Sequence, residues 1–136
     1  MRLRSDVPIA FCLSGGIDSA FLASLAVKEF NKKIKTFSII DNNKKYNEKR
    51  NIDKIIQDLK CENTQIKLKK SKNFLNHLQD LVIQHDSPIS TISYYVHSFL
   101  SEKISKSGFK VAISGTGADE IFTGYYDHFL LHLYSI

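Results

Sequence analysis

Ser14-Gly15-Gly16-Ile17-Asp18-Ser19 joins a short apolar run, residues 9–13, to a run of helical spacing that begins near Ala20. This order predicts a strand, a glycine turn and a helix N-terminus. Adjacent glycines let the backbone approach an anion closely, and the free amides of the first helical turn then point toward it. The stretch therefore predicts a phosphate-binding loop. The alternative is a tight turn capped by Ser14 or Ser19.

The type of loop constrains the chemistry. No lysine follows in the pattern GxxxxGK[ST], so the loop differs from the Walker type that grips the outer phosphates. Asp18 offers a carboxylate where a magnesium ion (Mg2+) could bind. Amides that hold a departing pyrophosphate suit attack on the α-phosphorus of ATP. We therefore predict cleavage of ATP into AMP and pyrophosphate.

Predicted strands and helices alternate along the rest of the chain. The strands are residues 35–40, 64–68 and 110–113, and the helices are residues 20–30, a segment opened by Asn47, residues 74–85 and residues 92–105. Strands separated by helices imply right-handed crossovers and a parallel sheet covered on both faces. The fold class is therefore α/β, a doubly wound parallel sheet with strand order 3-2-1-4.

A second glycine-rich loop, Ser114-Gly115-Thr116-Gly117-Ala118-Asp119-Glu120, follows the fourth predicted strand. The chain reverses between strands 1 and 4, and ligands bind at such a switch point. We therefore expect both loops to face one crevice. Asp18 and Asp119 would project into it and share a magnesium ion on phosphate oxygens. The alternative for Asp119 and Glu120 is acidic charge that stabilises a helix N-terminus.

The amino-acid composition narrows the class of protein to which the chain could belong. The chain has 136 residues, 43% of them hydrophobic, and no apolar stretch long enough to cross a bilayer. The two cysteines, Cys12 and Cys61, suggest neither a disulfide framework nor a zinc site, so we expect a cytoplasmic protein.

Lysine-rich stretches produce the net charge of +5, at residues 32–35, 44–50 and 67–72. Such stretches could bind RNA, but aromatic residues are not interleaved with them. We interpret them as solvated surface charge and expect no nucleic-acid partner. Residues 41–50, rich in lysine and asparagine, are the segment that we expect to be a mobile loop.

The two loops, with Phe37-Ser38-Ile39 on the second strand and Gly124-Tyr125 after the second loop, resemble the synthetase domain of asparagine synthetase. That domain belongs to the PP-loop ATP pyrophosphatases. The resemblance runs from Val7 to about His128 in the family's order. It implies a Rossmann-like sheet of the adenine nucleotide alpha hydrolase type. It also implies one domain over residues 1–136, truncated at both ends relative to the family.

The resemblance also implies an activity and its residues. Enzymes of this family adenylate a carboxylate with ATP, release pyrophosphate, and let ammonia from glutamine attack the acyl-adenylate. We expect a small carboxylate as substrate, with ammonia supplied by a glutaminase domain or subunit absent from this chain. The residues implied for pyrophosphate and magnesium are Ser14, Gly15, Gly16, Asp18 and Ser19, with Asp119 completing the metal site. The residues implied for AMP are Leu13, Ile39, Ser114 and Gly115.

One departure concerns the catalytic candidates, which are Asp18, Asp119 and Thr116. Thr116 stands where the family has a glutamate tied to forming and using the adenylate. A threonine hydroxyl donates or accepts hydrogen bonds, but it is no general base near neutral pH. Another group could take that role, and the candidates are Glu120, Asp127 and His128, although His128 could equally be a surface residue.

Other functions stay open at this point. The acceptor could be a carboxylate other than aspartate, such as a sugar acid. The chain could be a nucleotide-binding fragment without turnover. It could also modify tRNA, although it lacks the paired cysteines of the sulfur-transferring PP-loop enzymes.

Overall fold

The computed structural model describes residues 3–43, 45–68 and 73–135. Among these residues, four strands form one parallel sheet. They are β1 (Ile9–Cys12), β2 (Lys35–Ile40), β3 (Glu62–Lys67) and β4 (Val111–Ile113). Their order is β3-β2-β1-β4, which confirms the predicted doubly wound topology. The predicted third strand, residues 64–68, begins two residues too late.

The described helices are α1 (Ile17–Ser24), α2 (Lys49–Leu59), α3 (Phe74–His85), α4 (Ile92–Lys106), α5 (Ala118–Phe122) and α6 (Tyr126–Ser135), and a π-helical segment (Leu25–Glu29) continues α1. The prediction that the first helix begins near Ala20 is wrong. The helix starts at Ile17, because Gly16 is already its extended N-cap residue. None of the described helices combines the length and apolar character that crossing a membrane requires.

Side-chain alternation along β1 divides the core into two layers. Phe11 and Leu13 face α1 and α2, and Ala10 faces α4. The first layer also buries Ala23, Ala26, Ile34, Ile40, Ile52 and Leu59. The second buries Phe37 and Ile104, with Cys12, Leu100 and Phe109 packed around them. Helices thus cover both faces, and the carboxyl ends of the strands stay open.

A buried polar cluster joins β2 to β3 within the first layer. Thr36 and Ser38 are 0% and 1% exposed. The Asn63 side-chain amide donates to both of their hydroxyl oxygens, at 2.8 Å and 2.9 Å. Thr36 Oγ1 in turn donates to the carbonyl oxygen of Glu62 at 2.9 Å. These bonds satisfy the two hydroxyls, which would otherwise be costly to bury.

The segment that we predicted as a mobile loop, residues 41–50, is shorter than predicted. Lys49 and Arg50 already belong to α2. Asn47 Oδ1 accepts the amide of Lys49 at 2.9 Å in the turn before the helix, whose N-cap residue is Glu48. Lys44 lies outside the described residues. So do residues 69–72, which form most of the third lysine-rich stretch.

Candidate functional site

A cavity of about 610 Å³ opens where the carboxyl ends of β1, β2 and β4 meet the face of α4. Its size lies within the usual range for small-molecule sites, roughly 300–1,000 Å³. Most of the site residues expected from the sequence line it, namely Leu13, Ser14, Asp18, Ser19, Ile39, Ser114, Gly115 and Thr116. Gly15, Gly16 and Asp119 are not among the lining residues.

Hydroxyl groups organise the first loop. The amide of Ser14 donates to Ser19 Oγ at 3.0 Å, and the amide of Gly16 donates to Ser14 Oγ at 3.2 Å. The two hydroxyl oxygens lie 2.9 Å apart. Neither serine caps α1, whose N-cap residue is Gly16 with no side-chain cap. The serine hydroxyls therefore bind amides of the turn, as the alternative of a serine-capped turn also expects, although neither serine is the N-cap residue of α1.

The first loop lies against the beginning of α2. The amide of Gly15 donates to Glu48 Oε2 at 2.9 Å. A Cβ atom on Gly15 would lie 2.6 Å from Glu48 Cβ and 3.1 Å from Asn51 Cβ. Only glycine permits this approach, because real Cβ contacts that short do not occur. Glu48 also lines the cavity, and it was not among the residues expected from the sequence.

The two glycine-rich loops are in contact. A Cβ atom on Gly115 would lie 2.9 Å from the amide nitrogen of Ser19 and 3.1 Å from Asp18 Cβ. Within the second loop, Ser114 Oγ donates to Thr116 Oγ1 at 3.0 Å and accepts the Thr116 amide at 3.3 Å. The structure therefore brings both loops to one cavity, as the strand order predicted.

The two predicted metal ligands occupy different places. Asp18 lines the cavity, in the first turn of α1. The Asp119 carboxylate instead packs against Gly124, since a Cβ atom there would lie 1.9 Å from Asp119 Oδ1. In the described part of the chain, no three His, Cys, Asp or Glu residues group as metal ligands. Magnesium commonly needs only one or two protein carboxylates beside substrate phosphates, so Asp18 fits that chemistry.

The candidates proposed to replace the family glutamate lie outside the cavity lining. The Tyr125 hydroxyl donates to Glu120 Oε1 at 2.7 Å, which lowers the pKa of Glu120 and raises that of Tyr125. The Tyr125 ring also packs on His128, with ring centroids 5.3 Å apart. Neither Glu120, Asp127 nor His128 is among the lining residues.

Several lining residues were missed by the sequence analysis. Asp41 directly follows β2, so the rule that parallel strands end at one edge could have located it. Four further unexpected lining residues lie on α4, namely Val96, His97, Leu100 and Ser101. Their spacing places them on one face of that helix, but nothing in the sequence tells which face meets the crevice.

Cys12 lines the cavity from the last residue of β1. Partial burial raises the pKa of its thiol, because a buried thiolate is poorly solvated. Burial also raises the pKa of Cys61, which does not line the cavity. Both thiols are free. The pair therefore offers one probe inside the site and one outside it.

Comparison with known proteins places this cavity in a family context. The chain is 36% identical over 125 residues to asparagine synthetase [glutamine-hydrolyzing] 1 of Bacillus subtilis, covering 92% of this chain and 19% of that protein. It is 32% identical over 130 residues to a putative asparagine synthetase [glutamine-hydrolyzing] 2 of Methanocaldococcus jannaschii, covering 94% of this chain and 24% of that protein. The chain thus spans about a fifth to a quarter of these relatives' length.

A solved structure shows the same fold. An NH3-dependent NAD synthetase from Campylobacter jejuni superposes with a TM-score of 0.54 at 22% identity, over 89% of this chain and 52% of that one. The sheet order and this likeness agree on the adenine nucleotide alpha hydrolase type of fold. The sequence profile of the family described as asparagine synthase matches residues 1–135. This chain therefore belongs to the asparagine synthase family.

Proposed function

We propose that this chain binds ATP for a ligase that adenylates a carboxylate and releases pyrophosphate, after which ammonia attacks the acyl-adenylate to form the amide and release AMP. The observation that carries the proposal is the contact between the two glycine-rich loops, where Gly115 lies against Ser19 beside the cavity. A loop of the first kind alone would bind many anions. Together with the second loop and family membership, it supports a split site for ATP.

We assign the pyrophosphoryl part of ATP to the first loop. The amides of Ser14, Gly15 and Gly16 and the hydroxyl of Ser19 are hydrogen-bonding groups suited to phosphate oxygens. The positive end of the α1 dipole favours negative charge at the same place. Asp18 would hold magnesium, with Asp119 as the second candidate, and the ion would offset charge on the leaving pyrophosphate.

We assign the AMP part to the remaining lining residues that the family resemblance named: Leu13, Ile39, Ser114 and Gly115. Ile39 is only partly buried and offers apolar surface. Leu13 is 2% exposed with its side chain in the core, so it would contribute mainly backbone groups. Ser114 and Gly115 provide backbone groups at the point where the loops meet. This arrangement would leave the α-phosphate near both loops, where the leaving and attacking oxygens need stabilisation.

The names of the relatives favour one acceptor. They are called glutamine-hydrolysing asparagine synthetases, which supports aspartate over a sugar acid and glutamine as the source of ammonia. The glutaminase would be a domain or subunit outside this chain. Thr116 cannot act as a general base, so we assign it to orienting Ser114 through their hydrogen bond. Free cysteines are consistent with a cytoplasmic enzyme.

Two measurements test the proposal. Calorimetry with ATP and magnesium on this chain tests the site, and we expect one bound nucleotide per chain. An assay of pyrophosphate release from ATP, with ammonium as the nitrogen source and with the whole enzyme that contains this sequence, tests the ligase reaction. We expect release to depend on aspartate and not on sugar acids. Absence of ATP binding would reject the site, whereas release with a sugar acid alone would reject only the acceptor.

A further inference from the structure

The amides of Ser14, Gly15 and Gly16 in the first loop all have side-chain acceptors, and one acceptor differs from the other two. The amides of Ser14 and Gly16 donate to hydroxyls of the loop itself. The amide of Gly15 donates to the carboxylate of Glu48, which comes from a different segment and carries a negative charge. An anion of the protein therefore already binds where the proposed function places pyrophosphate.

The two kinds of acceptor respond differently to a phosphate ligand. A serine hydroxyl can rotate and donate to a phosphate oxygen, so Ser14 and Ser19 are compatible with a bound anion. The Glu48 carboxylate has no proton to donate when ionised, and it repels a second anion at close range. Glu48 and a pyrophosphate oxygen would thus compete for the Gly15 amide.

The position of Glu48 allows its side chain to leave without movement of the backbone. Its carbonyl oxygen accepts the amides of Asn51 and Ile52 at 2.9 Å and 3.1 Å, which fixes its main chain at the start of α2. Ile52 is 1% exposed and anchors that helix in the core. The Glu48 residue itself is exposed. Rotation of an exposed side chain occurs quickly and at little cost.

We propose that Glu48 is an internal competitor at the pyrophosphate site. Its carboxylate holds the Gly15 amide in the free chain and leaves when the pyrophosphoryl end of the nucleotide binds. This inference rests on the proposed function for the identity of the ligand. It makes Glu48 a residue that sets affinity, since the incoming anion has to offset the lost bond. A ligand with two linked phosphates has more oxygens with which to do so than a single phosphate has.

The test compares inorganic pyrophosphate binding, measured by calorimetry with magnesium, in four proteins: wild type, Glu48→Gln, Glu48→Ala and Glu29→Gln. Glu48→Gln keeps a neutral acceptor, and Glu48→Ala removes the acceptor. Glu29→Gln is the matched control, because it removes one exposed negative charge that does not line the cavity. In Glu48→Ala, pyrophosphate no longer has to displace the charge-assisted hydrogen bond between Glu48 and the Gly15 amide. We therefore expect this variant to bind pyrophosphate about three- to tenfold more tightly than wild type does. We expect a smaller gain in Glu48→Gln and none in Glu29→Gln.

A second readout needs no ligand. The Gly15 amide resonance, followed by ¹⁵N–¹H NMR, should shift in ligand-free Glu48→Ala and stay unchanged in Glu29→Gln. An unchanged Gly15 resonance in Glu48→Ala would overturn the proposal, because the hydrogen bond would then be absent in solution. Thermal unfolding of each variant verifies that α2 still forms.

The outcomes separate this inference from the proposed function. If wild type binds pyrophosphate and both Glu48 variants bind it equally or more weakly, competition by Glu48 is rejected and the proposed ATP site is not. If only the Glu48 variants bind pyrophosphate detectably, the result supports competition by Glu48. If no protein of the set binds pyrophosphate or ATP, both proposals fail together.

Discussion

Gly115 and Asp18 lie in direct contact: a Cβ atom placed on Gly115 would be 3.1 Å from Asp18 Cβ. The same atom would be 2.9 Å from the amide nitrogen of Ser19. Rotation of a side chain cannot relieve a clash with a backbone atom. The second loop therefore reaches the first only because residue 115 has no side chain.

The first prediction concerns this contact. Gly115→Ala should push the two loops apart, because the added methyl group meets the backbone of α1. We expect MgATP affinity to fall at least about tenfold. We also expect a loss of unfolding free energy of about 1–3 kcal/mol, as for other overpacked sites. Calorimetry and urea unfolding measure the two effects.

Gly117→Ala is its control within the same loop. Gly117 has φ of +92°, but a Cβ atom there would meet nothing within 4 Å. The substitution should cost about 1–2 kcal/mol of stability through backbone strain and leave ATP binding nearly intact. Equal loss of binding in both variants would show that strain in the loop matters and the contact does not.

The second prediction uses the first loop. Gly15→Ala should displace the start of α2, since its Cβ atom would lie 2.6 Å from Glu48 Cβ. Gly16→Ala should be mild, because φ is −81° and its Cβ atom would meet only Ser14 Oγ, at 3.3 Å. We expect calorimetry to show a loss of ATP affinity of at least about tenfold for the first variant and less than about threefold for the second. The reverse ranking would contradict the observed packing.

The third prediction tests the metal assignment. Asp18→Asn should weaken ATP binding at least about tenfold with magnesium present, because it removes the carboxylate that we assign to magnesium. Without magnesium the same variant should bind ATP as well as wild type or better, because a repulsive charge is gone. Asp119→Asn should have a smaller effect, since its carboxylate packs against Gly124. An equal effect of the two substitutions would place Asp119 in the site as well.

The fourth prediction uses the two thiols. Burial raises the pKa of Cys12, so its reactive thiolate stays scarce at neutral pH. Iodoacetamide should modify Cys12 slowly near pH 7 and faster as the pH rises toward that raised pKa. Bound ATP should protect Cys12, which lines the cavity, and leave the rate at Cys61 unchanged. Mass spectrometry of the alkylated chain measures both rates, and equal protection would point to global stabilisation.

The same shift predicts how stability depends on pH. A thiol whose pKa is higher in the folded state than in the unfolded state stabilises the fold below the unfolded pKa. That contribution is lost as the pH rises through the folded pKa. Cys12→Ser removes it, so the loss of stability at alkaline pH should be smaller in that variant than in wild type.

The fifth prediction concerns the polar cluster of the core. Asn63→Ala removes the donor to two fully buried hydroxyls, those of Thr36 and Ser38. Ser38 then loses its side-chain donor, whereas Thr36 keeps its bond to the Glu62 carbonyl oxygen, so the unfolding free energy should fall by about 1–3 kcal/mol. Gln65→Ala is a milder control, because Gln65 bonds the Asp53 carboxylate, at 2.8 Å, and that carboxylate is only half-buried. Urea unfolding compares them, and equal losses would contradict a special role for Asn63.

The fold could be predicted because its signals are local. Alternating patterns such as residues 35–40 and helical spacing in residues 92–105 mark elements that the structure confirms. Once strands and helices alternate, the handedness of the crossovers leaves few topologies. The predicted start of α1 was wrong. The helix begins at Ile17, after the extended N-cap residue Gly16, and the spacing of apolar residues does not reveal that backbone conformation.

The site was predictable only in part. Residues adjoining strand ends, such as Ser14 and Ser114, were expected and line the cavity. Glu48 and His97 were not expected. Glu48 reaches the cavity from the N-cap of α2, and His97 reaches it from α4. Which helix face meets a crevice depends on how the helix packs on the sheet. Asp119 shows the converse, since its motif position alone did not reveal its packing against Gly124.

The sequence by itself determined the strand order, the two glycine-rich loops and their common edge of the sheet. Those follow from periodicity, turn chemistry and the handedness of chain connections, which are properties of short segments. Only the tertiary structure decided that Glu48 binds the Gly15 amide and that Gly115 fits against Ser19. Such contacts depend on distances of a few tenths of an ångström between segments far apart in the chain, and packing of the whole core sets those distances.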